Sequence, residues 1–161
     1  MTRRVLGVDP GTAATGYGMV EAEPGRPGRL VECGVLRTDA GRDLAERLAS
    51  LHEGMRDLIG QHRPDVVVVE SIFYAKNVRS SLVLSHARGV ILLAAAQAGV
   101  PVAEFAPAFV KKAVVGRGRA TKAQVGFMVQ QLLRLRQAPR PADAADGVAI
   151  ALTYLLTARP R

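Results

Sequence analysis

Cysteine occurs once in the 161 residues, as Cys33. That excludes an internal disulfide and a multi-thiolate zinc site, and it suits a reducing compartment. The three histidines, His52, His62 and His86, are scattered without ligand spacing. Long apolar runs are also missing. The longest, residues 89–96, is far short of the ~20 residues of a membrane span. The basic opening Met1-Thr2-Arg3-Arg4 leads into an apolar stretch that breaks at Asp9 and turns at Pro10-Gly11, too soon for a signal peptide. A cytoplasmic location is expected. There is no internal repeat, long linker or low-complexity segment, so residues 1–161 are expected to form one domain.

Hydrophobic residues make up 48% and charged residues 22% of the chain, as in ordinary globular domains. At this length roughly 68–70% of the unfolded surface can be buried, enough for a core without staples. Lysine and arginine number 22 against 14 acids, a net charge of +8. A polyanionic partner, nucleic acid or an anionic membrane surface, follows from that balance, which cannot choose between them.

Residues 4–8 and 16–21 carry strand formers on either side of a turn, and residues 29–38 make a third strand after the cluster Pro24-Gly25-Arg26-Pro27-Gly28. Three adjacent antiparallel strands result. Over residues 43–62, Leu44, Leu48, Leu51, Met55, Leu58 and Ile59 recur at helical spacing. Val66-Val67-Val68-Val69 is the continuous β-branched run of a strand buried on both faces. Residues 78–98 form a helix so apolar that it is expected to be sandwiched inside the fold. A short strand over 102–105 and helices over 107–115, 121–135 and 142–157 complete the pattern. Gly116-Arg117-Gly118 follows a helical stretch and lacks a third spaced glycine, so it is no nucleotide-binding fingerprint. The fold class is α/β: a mixed five-stranded sheet with helices on both faces.

Four acids stand out. Asp9 ends the first strand, Glu70 ends the most buried one, and Asp143 and Asp146 lie three apart at the start of the last helix. Separately they read as a turn aspartate, a strand-end glutamate and helix-capping or dipole-compensating acids. Each could also point to one edge of the sheet. Four carboxylates sharing a cleft would repel one another without cations, and hard oxygen ligands suit Mg²⁺ or Mn²⁺. Two-metal centres of this kind activate water and stabilise the leaving oxygen in phosphodiester cleavage. Without those four acids the chain carries 22 basic against 10 acidic residues. An acidic pocket in so basic a body suits a metal-dependent nuclease.

Five segments in order resemble the RuvC family of Holliday junction resolvases, within the ribonuclease H-like fold. They are Gly7-Val8-Asp9-Pro10-Gly11 with Thr15-Gly16-Tyr17-Gly18, residues 70–77 (Glu70-Ser71-Ile72-Phe73-Tyr74-Ala75-Lys76-Asn77), Ala87-Arg88-Gly89, residues 110–116, and Ala142-Asp143-Ala144-Ala145-Asp146-Gly147. The resemblance spans nearly the whole chain. It implies that Asp9, Glu70, Asp143 and Asp146 hold two Mg²⁺ ions per active site, with Mn²⁺ a possible substitute. It further implies a homodimer making two symmetric nicks in a four-way DNA junction during recombination and repair, leaving 5′-phosphate and 3′-hydroxyl ends. A branch-migration motor, RuvA and RuvB, is the implied partner. A two-fold dimer would place one active site on each of two like strands. The apolar helix over 78–98 is the candidate dimer surface, with an entirely internal helix as the competing reading.

Phe73 and Tyr74 can be core anchors, or can stack on unpaired bases; the family resemblance gives that second role to the position of Phe73. Lys76, Arg79, Lys111, Lys112, Arg117, Arg119 and Lys122 are candidates for backbone contacts, or else a solvated surface. By resemblance Lys111 and Lys122 contact DNA or assist catalysis. Ser71 stands where many members carry glutamine, and some members continue beyond the position of Arg161. Two rival readings remain: a non-catalytic junction-binding protein, and a ribonuclease H-like nuclease for another substrate.

Overall fold

A computed structural model describes residues 1–11, 13–71 and 77–158. Five strands, β1 (Arg3–Asp9), β2 (Ala14–Ala22), β3 (Arg29–Arg37), β4 (Val66–Glu70) and β5 (Val102–Phe105), form one sheet in the order β3-β2-β1-β4-β5. The first three pair antiparallel, whereas β4 runs parallel to both β1 and β5. The expected mixed sheet is therefore present.

Side chains alternate across each strand and so divide the core in two. Val5, Val66 and Val68 face helices α3 (Pro107–Val115), α4 (Lys122–Leu132) and α5 (Ala142–Thr157). Leu6, Val8, Val67 and Val69 face α1 (Leu44–His62) and α2 (Val78–Gln97). Helices thus cover both faces. The valine run of β4 is buried on each side, as its composition predicts.

The helix ends follow local chemistry. Asp43 caps α1, accepting from the Glu46 N–H at 2.9 Å, and Arg63 closes it in the left-handed conformation at φ 46°. Thr121 and Gln124 form a reciprocal capping box at the start of α4. That helix ends at Leu132, short of the expected 135, because Arg134 adopts φ 54°.

Helix α5 lies almost on the backbone of β1 and β2. A Cβ built on Gly7 would come within 2.2 Å of the Gly147 carbonyl oxygen, and one on Gly16 within 1.9 Å of the Asp143 carbonyl oxygen. A Cβ on Gly147 would in turn meet the Tyr17 backbone at 2.6 Å. Alternation puts Gly7, Gly16 and Gly18 on the α5 side of the sheet. The result is a glycine seam that lets α5 sit deep enough for its first turns to reach the strand ends.

Helix α2 departs from expectation. It is not sandwiched: Ala87, Ile91, Ala94 and Ala95 are buried against the α1 side, while Val78, Leu82 and Leu93 are 75%, 57% and 50% exposed. At 20 residues and a mean hydropathy of 1.3, it is long and apolar enough to cross a membrane by length and composition alone. Arg79, Ser80, Ser81, Ser85, His86 and Arg88 interrupt it, and its buried face is that of an outer-layer helix. High apolar content reflects two apolar faces, of which this chain covers one.

Candidate active site

Parallel pairing of β1 and β4 in the register Val8↔Val69 brings Asp9 and Glu70 out side by side. Val8 and Val69 face the α1 side, so the next residues, Asp9 and Glu70, turn toward α5. There the glycine seam delivers Asp143 and Asp146. One carboxylate oxygen from each of Asp9, Asp143 and Asp146 lies within 4.8 Å of the others. Glu70 lies beside Asp9, close enough to raise its pKa directly, and lines the same cavity. Acids more than 130 residues apart in sequence therefore meet at one sheet edge.

The turn bearing Asp9 is held by Thr15, a fully buried residue whose role the sequence alone does not reveal. Its hydroxyl donates to the Gly11 carbonyl at 2.8 Å and accepts from the Gly11 N–H at 3.2 Å. A threonine at the start of a strand, just after the turn that follows Asp9, was the available signal.

A cavity of about 210 Å³ opens over the cluster, lined by Asp9, Glu70, Asp146, Lys111 and Lys122 among others. Lys122 Nζ stands 3.4 Å from Asp146 Oδ2, with most of its side chain in solvent. Charge from Asp146 holds the Lys122 ammonium pKa above its ordinary value. Lys112, Arg117 and Arg119 are exposed and do not line the cavity. Arg79 is exposed in the first turn of α2. Phe73 and Lys76 lie outside the described residues.

Burial, followed by the charge of Glu70, the hydrogen bond to it, and the charges of Asp146 and Asp143, pushes the Asp9 carboxyl from 3.8 up to about 8. Burial raises Glu70 and Asp146 as well, against the opposing pull of Lys111 and Lys122. The adjacent Asp9 and Glu70 carboxyls thus favour sharing one proton over carrying two charges. Such a group of hard, crowded, partly dehydrated oxygens fits a divalent cation, which would replace the proton as the neutralising charge.

The protonation has a thermodynamic consequence. Between about pH 4 and pH 8 the folded protein keeps a proton on Asp9 that the unfolded chain has lost. The cation-free protein is therefore expected to lose stability as pH rises through that window, the contribution being complete below it and absent above it. Melting curves at several pH values check this. Added Mn²⁺ should raise Tm more at pH 8 than at pH 6, because fewer protons then compete for the oxygens.

A sequence model of the family described as crossover junction endodeoxyribonuclease RuvC matches residues 5–154. The chain belongs to the RuvC family. It is 52% identical over 151 residues to the crossover junction endodeoxyribonuclease RuvC of Halorhodospira halophila, covering 94% of this chain and 89% of that one. The Thermus thermophilus RuvC structure superposes with a TM-score of 0.86 at 36% identity, covering 97% of this chain and 94% of that chain. T. thermophilus RuvC in complex with Holliday junction substrate gives a TM-score of 0.87 at 34% identity, with the same coverage. The ribonuclease H-like fold implied by the sequence motifs is borne out by these neighbours.

Proposed function

We propose that this chain is a metal-dependent crossover junction endodeoxyribonuclease that resolves four-way DNA junctions by two symmetric nicks during homologous recombination and repair. The observation that carries the reading is the meeting of Asp9, Asp143 and Asp146, with Glu70 beside Asp9, at one edge of a sheet shared with the RuvC family. A junction-binding protein without catalysis would gain nothing from burying repelling carboxylates.

Asp9, Glu70, Asp143 and Asp146 would hold Mg²⁺, two ions per site, with Mn²⁺ as a substitute. When bound, such ions supply Lewis-acid charge to a phosphate and lower the pKa of water, worth several kcal/mol. Lys122 keeps a positive charge at the cavity mouth, where it can meet the scissile phosphate, and Lys111 lines the same cavity. Lys112, Arg117, Arg119 and Arg79, which do not line the cavity, are assigned to DNA contacts, as are Lys76 and Phe73. We assign the whole of residues 1–161 to one nuclease domain acting in the cytoplasm beside a RuvA and RuvB motor.

The homodimer is supported by α2. At about 100° per residue, Val78, Leu82, Ser85, Gly89, Leu93 and Ala96 fall within about 80° of one another, opposite the buried face. All six are exposed. This narrow stripe of apolar and small residues suits an isologous contact. Leu82→Glu is expected to shift the protein from dimer to monomer in sedimentation while leaving the circular dichroism spectrum unchanged.

The test of function is strand-by-strand mapping of cuts on a mobile four-way junction, a plain duplex and an RNA–DNA hybrid, with Mg²⁺ varied. Paired symmetric nicks confined to the junction are expected. Tight junction binding with intact strands would favour the binding protein, and preferential hybrid cleavage another substrate class.

A further inference from the structure

Ala87-Arg88-Gly89 is a motif to which the acidic site assigns no task. Arg88 reaches from α2 to the sheet, where its guanidinium pairs with Glu104 of β5. Glu104 lies opposite Val69 in the register of β4 and β5, and Phe105 lies opposite Glu70. The Phe105 carbonyl accepts the Ser71 N–H at 2.9 Å, fixing the peptide that leaves Glu70. The Phe105 ring stacks on Phe109 of α3 at 5.1 Å between centroids, and α3 carries Lys111. Two residues at the end of one short edge strand thus touch the supports of both Glu70 and Lys111.

We infer that the Arg88–Glu104 ion pair is a positioning device for the carboxylate site, tying the end of β5 to α2 so that Glu70 and Lys111 keep their places in the cavity. It rests on the metal-dependent reading above. Arg88 touches none of the reacting groups and is a positioning residue, not a catalytic one. Stability alone is a poor reason for the pair. Ion pairs at partly buried positions return little net stability, and the Arg88 Nε–H is buried without a hydrogen-bond partner among the described residues, which carries a cost. β5 is also a four-residue edge strand, paired on one side only, so a tie to α2 adds a second direction of restraint.

Arg88→Gln, Glu104→Gln, Arg88→Lys and the reversed pair Arg88→Glu/Glu104→Arg test this. Mn²⁺ affinity is read by electron paramagnetic resonance, single-turnover junction cleavage as a function of Mg²⁺, junction affinity in Ca²⁺, and Tm. For each Gln variant a several-fold weaker Mn²⁺ affinity and a roughly tenfold slower cleavage at subsaturating Mg²⁺ are expected, with junction affinity within twofold. Arg88→Lys and the reversed pair should recover most of both. Wild-type Mn²⁺ affinity in Arg88→Gln overturns the inference, as does a cleavage loss that follows Tm and is not recovered by either rescue. A wild-type protein that binds Mn²⁺ but cuts no junction refutes the proposed function, while the Mn²⁺ affinities of the variants still decide the role of Arg88.

Discussion

Asp9→Asn is expected to lower junction cleavage by about three orders of magnitude or more and to leave junction affinity within a few fold. The substitution removes one charged oxygen from the group of three within 4.8 Å and takes nothing from the basic surface. Loss of several kcal/mol of cation-mediated charge stabilisation, at about 1.36 kcal/mol per tenfold in rate, gives that magnitude. The same change should stabilise the cation-free protein at pH 8 and above. There Asp9 must ionise inside a cluster that holds its pKa near 8, whereas an amide carries no charge and can still donate to Glu70. Single-turnover kinetics, electrophoretic binding in Ca²⁺ and melting at pH 8.5 check the three parts. Lower stability at that pH, or lost junction affinity, would count against the site.

The second large effect is expected at Gly16, which bears no functional group. Gly16→Val would drive a Cβ to within 1.9 Å of the Asp143 carbonyl oxygen, and that neighbour is backbone, unable to swing aside. Overpacking of this kind costs about 3 kcal/mol at the upper end of its usual range, or roughly 6–12 °C in Tm for a chain of this size. Relief can come only by lifting the first turn of α5, which carries Asp143 and Asp146 away from Asp9. Cleavage and Mn²⁺ affinity should therefore fall together, even at temperatures where the variant remains folded. Gly60→Ala, inside α1 with open space around it and an ordinary helical backbone, serves as a control.

These two positions also mark what can and cannot be read in a sequence. Strand identities, helix periodicity and the four acids were legible, because Asp9 and Glu70 break strongly apolar strands and the pair Asp143/Asp146 opens a helix. Register was not. That Val8 pairs with Val69, and hence that Asp9 and Glu70 emerge together on the α5 side, depends on contacts between distant segments. The glycine seam was hidden for the same reason: a close approach belongs to two backbones, and Gly16 alone says nothing about Asp143. The exposed face of α2 was misjudged because hydropathy counts apolar residues without saying what covers them. Lys111 and Lys112 are indistinguishable by composition; helical phase directs one into the cavity and the other to solvent.

The dependence of the site on α5 reaches back to synthesis. A nascent chain on the ribosome can pair β1 with β2 and later add β4, but Asp143 and Asp146 emerge only after all five strands, on the helix that fills the seam. Until then Asp9 and Glu70 form half a ligand set beside an uncovered apolar surface. A chain that stops before α5 therefore lacks two of the four carboxylates and the cover of that sheet face alike.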